Sequence, residues 1–147
     1  MFDQGTIIYF NPFYFLNGGT PAPKFFLVLY AEEAKFVLAS LPTSKDHIPF
    51  ANEGQSGCVE IPEAQFNCYL FLPGTVVTDK GFSFVEKTLL YGHLIETYPH
   101  DFFDQYPHEN IDYFVKGKIL PAIFDEMLNC FKHSVSVKQK YKRLLLN

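Results

Sequence analysis

The sequence predicts a mainly β protein of the α+β class, a small, strongly bent antiparallel barrel or sandwich followed by one amphipathic helix. Short apolar runs alternate with turns that contain glycine or proline, which is typical of antiparallel strands. Aromatic residues make up 18% of the chain, with 17 Phe and 9 Tyr, and such rings fit a pleated surface. The length of 147 residues fits a single domain over 1–147.

Two strands that should form an antiparallel hairpin are the centre of this prediction. They span 24–30 and 35–41, and both are nearly continuous apolar runs. The connection over 31–34 is short and polar, as expected of a hairpin turn. Because the two chains run in opposite directions, the start of the first strand and the end of the second should lie at one rim of the sheet.

The remaining strands are weaker versions of the same pattern. A first strand over 5–10 is entered through a glycine and closed by Asn11–Pro12. Glycine and proline dominate 13–23, which predicts a mobile turn segment able to act as a flap over the rim. Further strand candidates follow at 57–61, 68–72 and, with weak alternation, 82–91.

The last third of the chain changes character. Residues 96–117 predict a solvated acidic loop, whose rings anchor it to the barrel or to a second subunit. Histidines and carboxylates over 93–112 leave divalent-ion binding open, but their spacing matches no zinc motif. Helical periodicity then predicts an amphipathic helix over about 118–133, with its stripe in the core, followed by a solvated basic tail.

Charge and cysteine content limit the class of protein. The net charge of −4 supplies no global field for nucleic acid, so any polyanion must bind a local patch. Cys58, Cys68 and Cys130 are odd in number and show no metal-ligand spacing, which predicts buried reduced thiols in a cytoplasmic protein. No signal peptide is expected, and no apolar run approaches the roughly 18 residues that span a bilayer.

The predicted rim gathers the candidate catalytic residues Lys24, Thr43 and Ser44. Lys24 opens the first hairpin strand, and the two hydroxyls follow the proline that ends the second. A cation and hydroxyl donors can hold a phosphate group. The alternative is a plain turn in which these hydroxyls bond their own backbone.

Four further residues are candidates for substrate binding beside this rim. Gly18 and Gly19 lie at the tip of the predicted flap, and Lys45 and His47 follow the two hydroxyls. His47 is the nearest candidate for a general base. We expect no metal and no cofactor at this rim, because side chains alone can act as the general acid and the general base.

The order of these features resembles the PemK/MazF-like toxins of type II toxin–antitoxin pairs. A glycine-led strand, a Gly/Pro-rich loop, a basic residue opening an apolar strand, and Pro-Thr-Ser after the next strand occur in that order over roughly residues 5–90. The resemblance implies an SH3-like barrel, a homodimer and metal-independent cleavage of single-stranded RNA. It also implies a cognate antitoxin that blocks the groove.

Carried over residue by residue, the resemblance includes one departure. Gly5 matches the glycine that opens the first strand, and Thr43 and Ser44 match the hydroxyl residues. Lys24 stands where the family has its catalytic arginine, and the only arginine of the chain is Arg143 in the tail. Lysine offers a point charge in place of a planar fork, so the resemblance implies an endoribonuclease that is slow or inactive.

Three functions therefore remain open from the sequence. The first is the RNA-cleaving toxin, carried by the candidate rim. The second is a non-catalytic SH3-like binding module that holds a protein partner, suggested by the missing arginine and the acidic net charge. The third and weakest is a metal-dependent hydrolase that uses the histidines and carboxylates of 93–112.

Overall fold

The computed structural model describes residues 2–44 and 57–145, which form two antiparallel sheets and two C-terminal helices. The first sheet has the order β7-β3-β2-β1-β8, and the second has the order β4-β5-β6. The strands of the first sheet are β1 (Thr6–Phe13), β2 (Ala22–Glu32), β3 (Phe36–Ser40), β7 (Glu96–Pro99) and β8 (Tyr113–Lys118). The other elements are β4 (Gly57–Ile61), β5 (Phe66–Phe71), β6 (Thr88–Tyr91), α1 (Pro121–Lys132) and α2 (Gln139–Leu145).

The predicted mainly β class, the antiparallel pairing and the C-terminal helix are confirmed. The central hairpin is β2 paired with β3, in a register that sets Leu27 opposite Ser40 and Glu32 opposite Phe36. The helix begins at Pro121 rather than near 118, because proline is favoured in the first turn of a helix, where its missing N–H has no partner to lose. Neither sheet closes on itself over the described residues, so the SH3-like barrel remains a proposal.

The boundaries of β1 and β6 differ from the prediction. β1 continues past Asn11–Pro12 to Phe13, and the register with β2 shifts between Phe10 and Phe13. Proline lacks a backbone N–H, and at this irregularity it interrupts no regular ladder bond. β6 covers only the last four residues of the predicted 82–91 segment.

One hydrophobic core lies between the two sheets and under the helices. The first sheet contributes the side chains on one face of β1, β2 and β3, and the second sheet contributes Tyr69 and Leu90. The helix α1 adds Met127 and Phe131, both fully buried. The basic tail, predicted as a solvated end, instead forms α2, which buries Tyr141 in this core. The sequence pattern did not predict this helix, because lysines surround its few apolar residues.

A second hydrophobic core covers the other face of the first sheet. The prediction of a solvated loop over 96–117 is wrong, because this segment forms ordered elements that pack into the second core. That segment contains β7, a 3-10 helix over His100–Gln105, and β8. Its rings Tyr98, Phe102 and Tyr106 are buried against the face of the sheet that carries Phe10. β7 forms because it pairs with β3, a contact distant in sequence that local polarity does not reveal.

The metal-binding alternative receives no support from this part of the fold. Within residues 2–44 and 57–145, no group of three or more His, Cys, Asp or Glu side chains could hold a metal ion.

The prediction of three reduced thiols is wrong, because Cys58 and Cys130 form a disulfide across a sequence separation of 72 residues. Cys68 remains a buried thiol. Spacing could not indicate the pairing, because folding brings β4 against α1.

The helices give one further result about membranes. Among the helices of the described ranges, none is both long enough and apolar enough to cross a bilayer.

Candidate functional site

The structure places Lys24, one of the predicted catalytic residues, on the side of β2 that faces the second core. Lys24 lies directly opposite Phe10 of β1, and opposed residues share a face of the sheet. Phe10 belongs to the second core, so the backbone places Lys24 on that side of β2. The next residue, Phe25, points to the opposite face, because side chains alternate along a strand. Antiparallel pairing predicts which strand ends meet, but the face that each side chain takes depends on the register with β1.

Thr43 occupies a bridge between the two sheets. After Ser40 the chain leaves the first sheet, and Thr43 exchanges two backbone hydrogen bonds with Leu89 of β6, at 2.9 and 2.8 Å. Its Oγ1 lies 3.5 Å from the Leu41 carbonyl oxygen, a long hydrogen bond within its own turn. The hydroxyl therefore has the geometry of the plain-turn alternative.

Ser44 lines a cleft of about 290 Å³, which we call the Ser44 cleft. Its walls combine aromatic rings, hydroxyls and one carboxylate, and the described residues that line it are Phe25, Pro42, Ser44, Phe82, Ser83, Phe84, Val85, Glu86 and Thr88. Thr88 Oγ1 donates a 2.9 Å hydrogen bond to the backbone carbonyl oxygen of Glu86 and so stabilises the turn that carries this carboxylate. Lys24 is not one of these lining residues.

The predicted substrate-binding residues fall into two groups. Gly18 and Gly19 lie in an exposed turn between β1 and β2, where the Gly19 N–H donates to Asn17 Oδ1 at 2.9 Å. Gly18 has a φ of 79°, a conformation that glycine adopts without strain. Lys45 and His47 lie outside the described residues.

An aromatic row borders the cleft and was not anticipated as a site. It consists of Phe114, Tyr9, Phe25 and Phe82, which are all partly exposed. Tyr9 lies opposite both Phe25 and Phe114 in the sheet register, so the three rings cross three strands on one face. The ring centroids are 6.4 Å apart for Phe114 and Tyr9, 5.0 Å for Tyr9 and Phe25, and 5.4 Å for Phe25 and Phe82.

Lys116 lies over this row. Lys116 Nζ is 5.9 Å from the Tyr9 ring centroid and 5.7 Å from that of Phe114, within the range of a cation–π contact. Over the described part of the chain, no carboxylate forms an ion pair with Lys116. Its neighbour Lys118, by contrast, lies 3.6 Å from Asp3 Oδ2. The Lys116 ammonium therefore lies beside the rings without a described carboxylate partner, where a ligand can contact it.

Part of this row could have been predicted from the sequence. Tyr9 and Phe25 occupy predicted strands, and correct pairing of those strands would have placed them side by side. Phe114 and Lys116 could not be found in this way, because they were predicted to lie in a loop rather than in β8.

The arrangement can bind flat apolar groups and an adjoining polar group. Rings offer stacking surfaces, Lys116 offers positive charge, and the hydroxyls of the Ser44 cleft can donate to a phosphate oxygen. Glu86 is the one carboxylate on the described wall of the cleft and can accept a hydrogen bond or a proton.

Comparison with known proteins gave no match: no family model, curated protein or solved structure is significantly similar to this chain.

Proposed function

We propose that this protein is the toxin component of a PemK/MazF-like toxin–antitoxin pair and that its ligand is single-stranded RNA. The observation that carries the proposal is the aromatic row with Lys116 over it, beside the hydroxyls of the Ser44 cleft. Single-stranded nucleic acids bind by stacking bases on rings while cations follow the backbone, and each stacked base contributes about 1–3 kcal/mol. The rings form a continuous series, so successive bases of one strand can stack on them.

The charge distribution sets the expected character of this binding. The net charge of −4 supplies no attraction at long range, and Lys116 over the row has no carboxylate partner among residues 2–44 and 57–145. Salt dependence grows with the number of phosphates that a protein neutralises, with a slope near 0.7 per phosphate for single strands. Binding should therefore depend mainly on stacking and only weakly on salt.

The reaction that we propose is metal-independent cleavage of the RNA, and it should be slow. Such cleavage needs a base for the 2′-hydroxyl, a donor to the phosphorane oxygens and an acid for the leaving oxygen. Lys24 stands where the family has arginine and lies on the opposite face of β2 from Phe25. The replacement of arginine by lysine and the position of Lys24 on that face should both weaken its binding to the scissile phosphate.

Binding is tested by fluorescence anisotropy of labelled single-stranded RNA, with Lys116→Ala and the matched control Lys138→Ala, in which the lysine directly precedes α2 and lies over the Tyr141 ring. We expect Lys116→Ala to weaken binding about tenfold or more, because it removes the cation proposed to contact a phosphate, and a hydrogen bond to a charged group contributes roughly 1.5–3 kcal/mol. The control should bind as the wild type does. Equal affinities of all three proteins, or no binding at all, would refute the proposal.

Cleavage is tested separately, with RNA and chelator, on the wild type, Lys24→Arg, Lys24→Ala and Thr43→Ala. If Lys24 reaches the phosphate, restoring the planar fork should raise the rate, and removing it should lower the rate roughly 10²-fold. Products should carry 2′,3′-cyclic ends. Silence of both the wild type and Lys24→Arg on varied RNAs would remove the nuclease and leave RNA binding.

A second candidate function is a binding module for a protein partner. The observation that favours it is Val85, which is 90% exposed on the wall of the Ser44 cleft, with Val76 of the same hairpin 49% exposed. Contiguous exposed apolar patches mark interfaces, and we propose that Val85 and Val76 form part of such a patch. The expected partners are a cognate antitoxin and a second copy of the chain. Light scattering at high micromolar concentration distinguishes a homodimer from a monomer.

A further inference from the structure

The disulfide between Cys58 and Cys130 joins β4 to α1, and its two ends differ in access. Cys58 is exposed, whereas Cys130 is only 5% exposed. Exchange begins when a thiolate attacks one of the two sulfurs along the line of the S–S bond, so access decides which sulfur reacts. The incoming thiol should therefore bond to Cys58, and Cys130 should leave.

The surroundings of Cys130 fit a free thiol as well as a disulfide. Asn67, which is fully buried, directs its Nδ2 at Cys130 Sγ across 3.4 Å, while its Oδ1 has no described hydrogen-bond partner. Cys130 Sγ also lies 3.6 Å from the Cys68 carbonyl oxygen. A disulfide sulfur has no hydrogen to donate to that oxygen, but a reduced Cys130 does.

This arrangement favours departure of Cys130 as the leaving group. An amide donor aimed at the sulfur stabilises the negative charge that develops as the S–S bond breaks, and a more stable thiolate leaves faster. The product thiol then has a donor and an acceptor already in position.

Two non-covalent features keep α1 in place without the bond. The carboxylate of Glu60 on β4 accepts hydrogen bonds from Ser134 Oγ at 2.7 Å and from the Val135 N–H at 3.1 Å. Met127 and Phe131 of α1 are fully buried in the core between the sheets. The native fold should therefore survive reduction.

We propose that the Cys58–Cys130 disulfide is a thiol-exchange site, at which a small thiol or a dithiol reductant attacks Cys58 in the folded protein. With one thiol, a new S–S bond forms to Cys58, the old bond breaks, and Cys130 takes the electron pair and a proton. With a dithiol, its second sulfur then releases Cys58, so the protein gains two electrons and two protons and the dithiol becomes a disulfide.

The third cysteine does not compete in this reaction. Cys68 is fully buried, and its burial raises the pKa of the thiol to about 12. At neutral pH it is therefore neither ionised nor accessible.

The test uses the full oxidised chain in buffer without denaturant, exposed to reduced glutathione and then quenched with an alkylating agent. Peptide mass spectrometry should place one glutathione on Cys58 and the alkyl group on Cys130, with Cys68 unmodified. Cys68→Ala should give the same pattern, and Cys58→Ser should acquire no glutathione. Glutathione on Cys130, or exchange that appears only after denaturant is added, would overturn the proposal.

A second measurement separates exchange in the native state from exchange through unfolding. Circular dichroism recorded after reduction by a dithiol should retain the β signal of the oxidised protein. Loss of that signal at the rate of thiol appearance would show that the bond reacts only through unfolding, which also overturns the proposal.

Discussion

At the scale of single residues, the position of a side chain in a strand decides its role. Lys24 and Phe25 are neighbours in sequence, yet strand alternation sends them to opposite faces of β2. The sequence could indicate that Lys24 lies near the start of a strand, which in fact begins at Ala22, and that Ser44 follows one. It could not indicate the face, because that depends on pairing with β1. Ser44 consequently joins a cleft with Phe25 and without Lys24.

The packing around Gly92 leaves no room for a side chain. A Cβ at this position would lie 2.2 Å from Asn67 Oδ1 and 2.8 Å from Val137 Cγ2. Both neighbours are buried and have little room to move. We expect Gly92→Ala to lower the free energy of unfolding by about 1–3 kcal/mol, the usual cost of overpacking. Denaturant titration measures this change.

Gly19→Ala is the matched control for that substitution. Its added Cβ would lie 3.0 Å from Asn17 Oδ1, which is the end of an exposed side chain and can move away. The control should change stability by less than about 0.5 kcal/mol. Equal effects of the two substitutions would show that Asn67 and Val137 do not confine Gly92.

At the scale of elements, the strands that consist of short apolar runs bounded by turns were predicted correctly. The β2–β3 hairpin, β4 and β5 follow short apolar runs with clear turns, and they form close to where expected. β7, β8 and α2 were missed because partners distant in sequence stabilise them: β3 for β7, β1 for β8, and the core between the sheets for α2. Phe114 of the aromatic row, and Lys116 over it, were missed for the same reason.

The turn between α1 and α2 depends on one carboxylate of β4. Glu60 accepts the hydrogen bonds of Ser134 Oγ and of the Val135 N–H. Glu60→Ala should lower the free energy of unfolding by about 1–3 kcal/mol, because a buried hydroxyl loses a charged partner. It should also speed amide hydrogen exchange in that turn. Glu63→Ala, in the exposed 3-10 helix after β4, should do neither.

At the scale of the whole molecule, buried tyrosines link stability to pH. Burial raises the pKa of Tyr106 to about 12, and burial also raises the pKa values of Tyr69 and Tyr98. A group whose pKa is raised in the fold stabilises it fully below the unfolded value, near 10 for tyrosine. That contribution is lost as the pH rises from about 10 to 12, so the melting temperature should fall across that interval. A melting temperature that stays constant between those pH values would contradict this linkage.

The disulfide also acts on the whole molecule, because it closes a loop of 72 residues in the unfolded chain. Reduction should lower the free energy of unfolding by about 2–5 kcal/mol through the added freedom of that chain. Cys58→Ser should reproduce the loss without a reductant. An unchanged midpoint of denaturation for the reduced protein would show that the bond does not constrain the unfolded chain.

Photo-crosslinking shows whether single-stranded RNA lies on the aromatic row, as we propose. RNA that carries 4-thiouridine is irradiated with the native protein, and the crosslinked peptides are identified by mass spectrometry. We predict crosslinks at Tyr9, Phe25 and Phe114, and their loss with Tyr9→Leu, which keeps an apolar side chain but removes the central ring. Crosslinks confined to the basic residues of 138–143, or none at RNA concentrations that saturate binding, would contradict the claim.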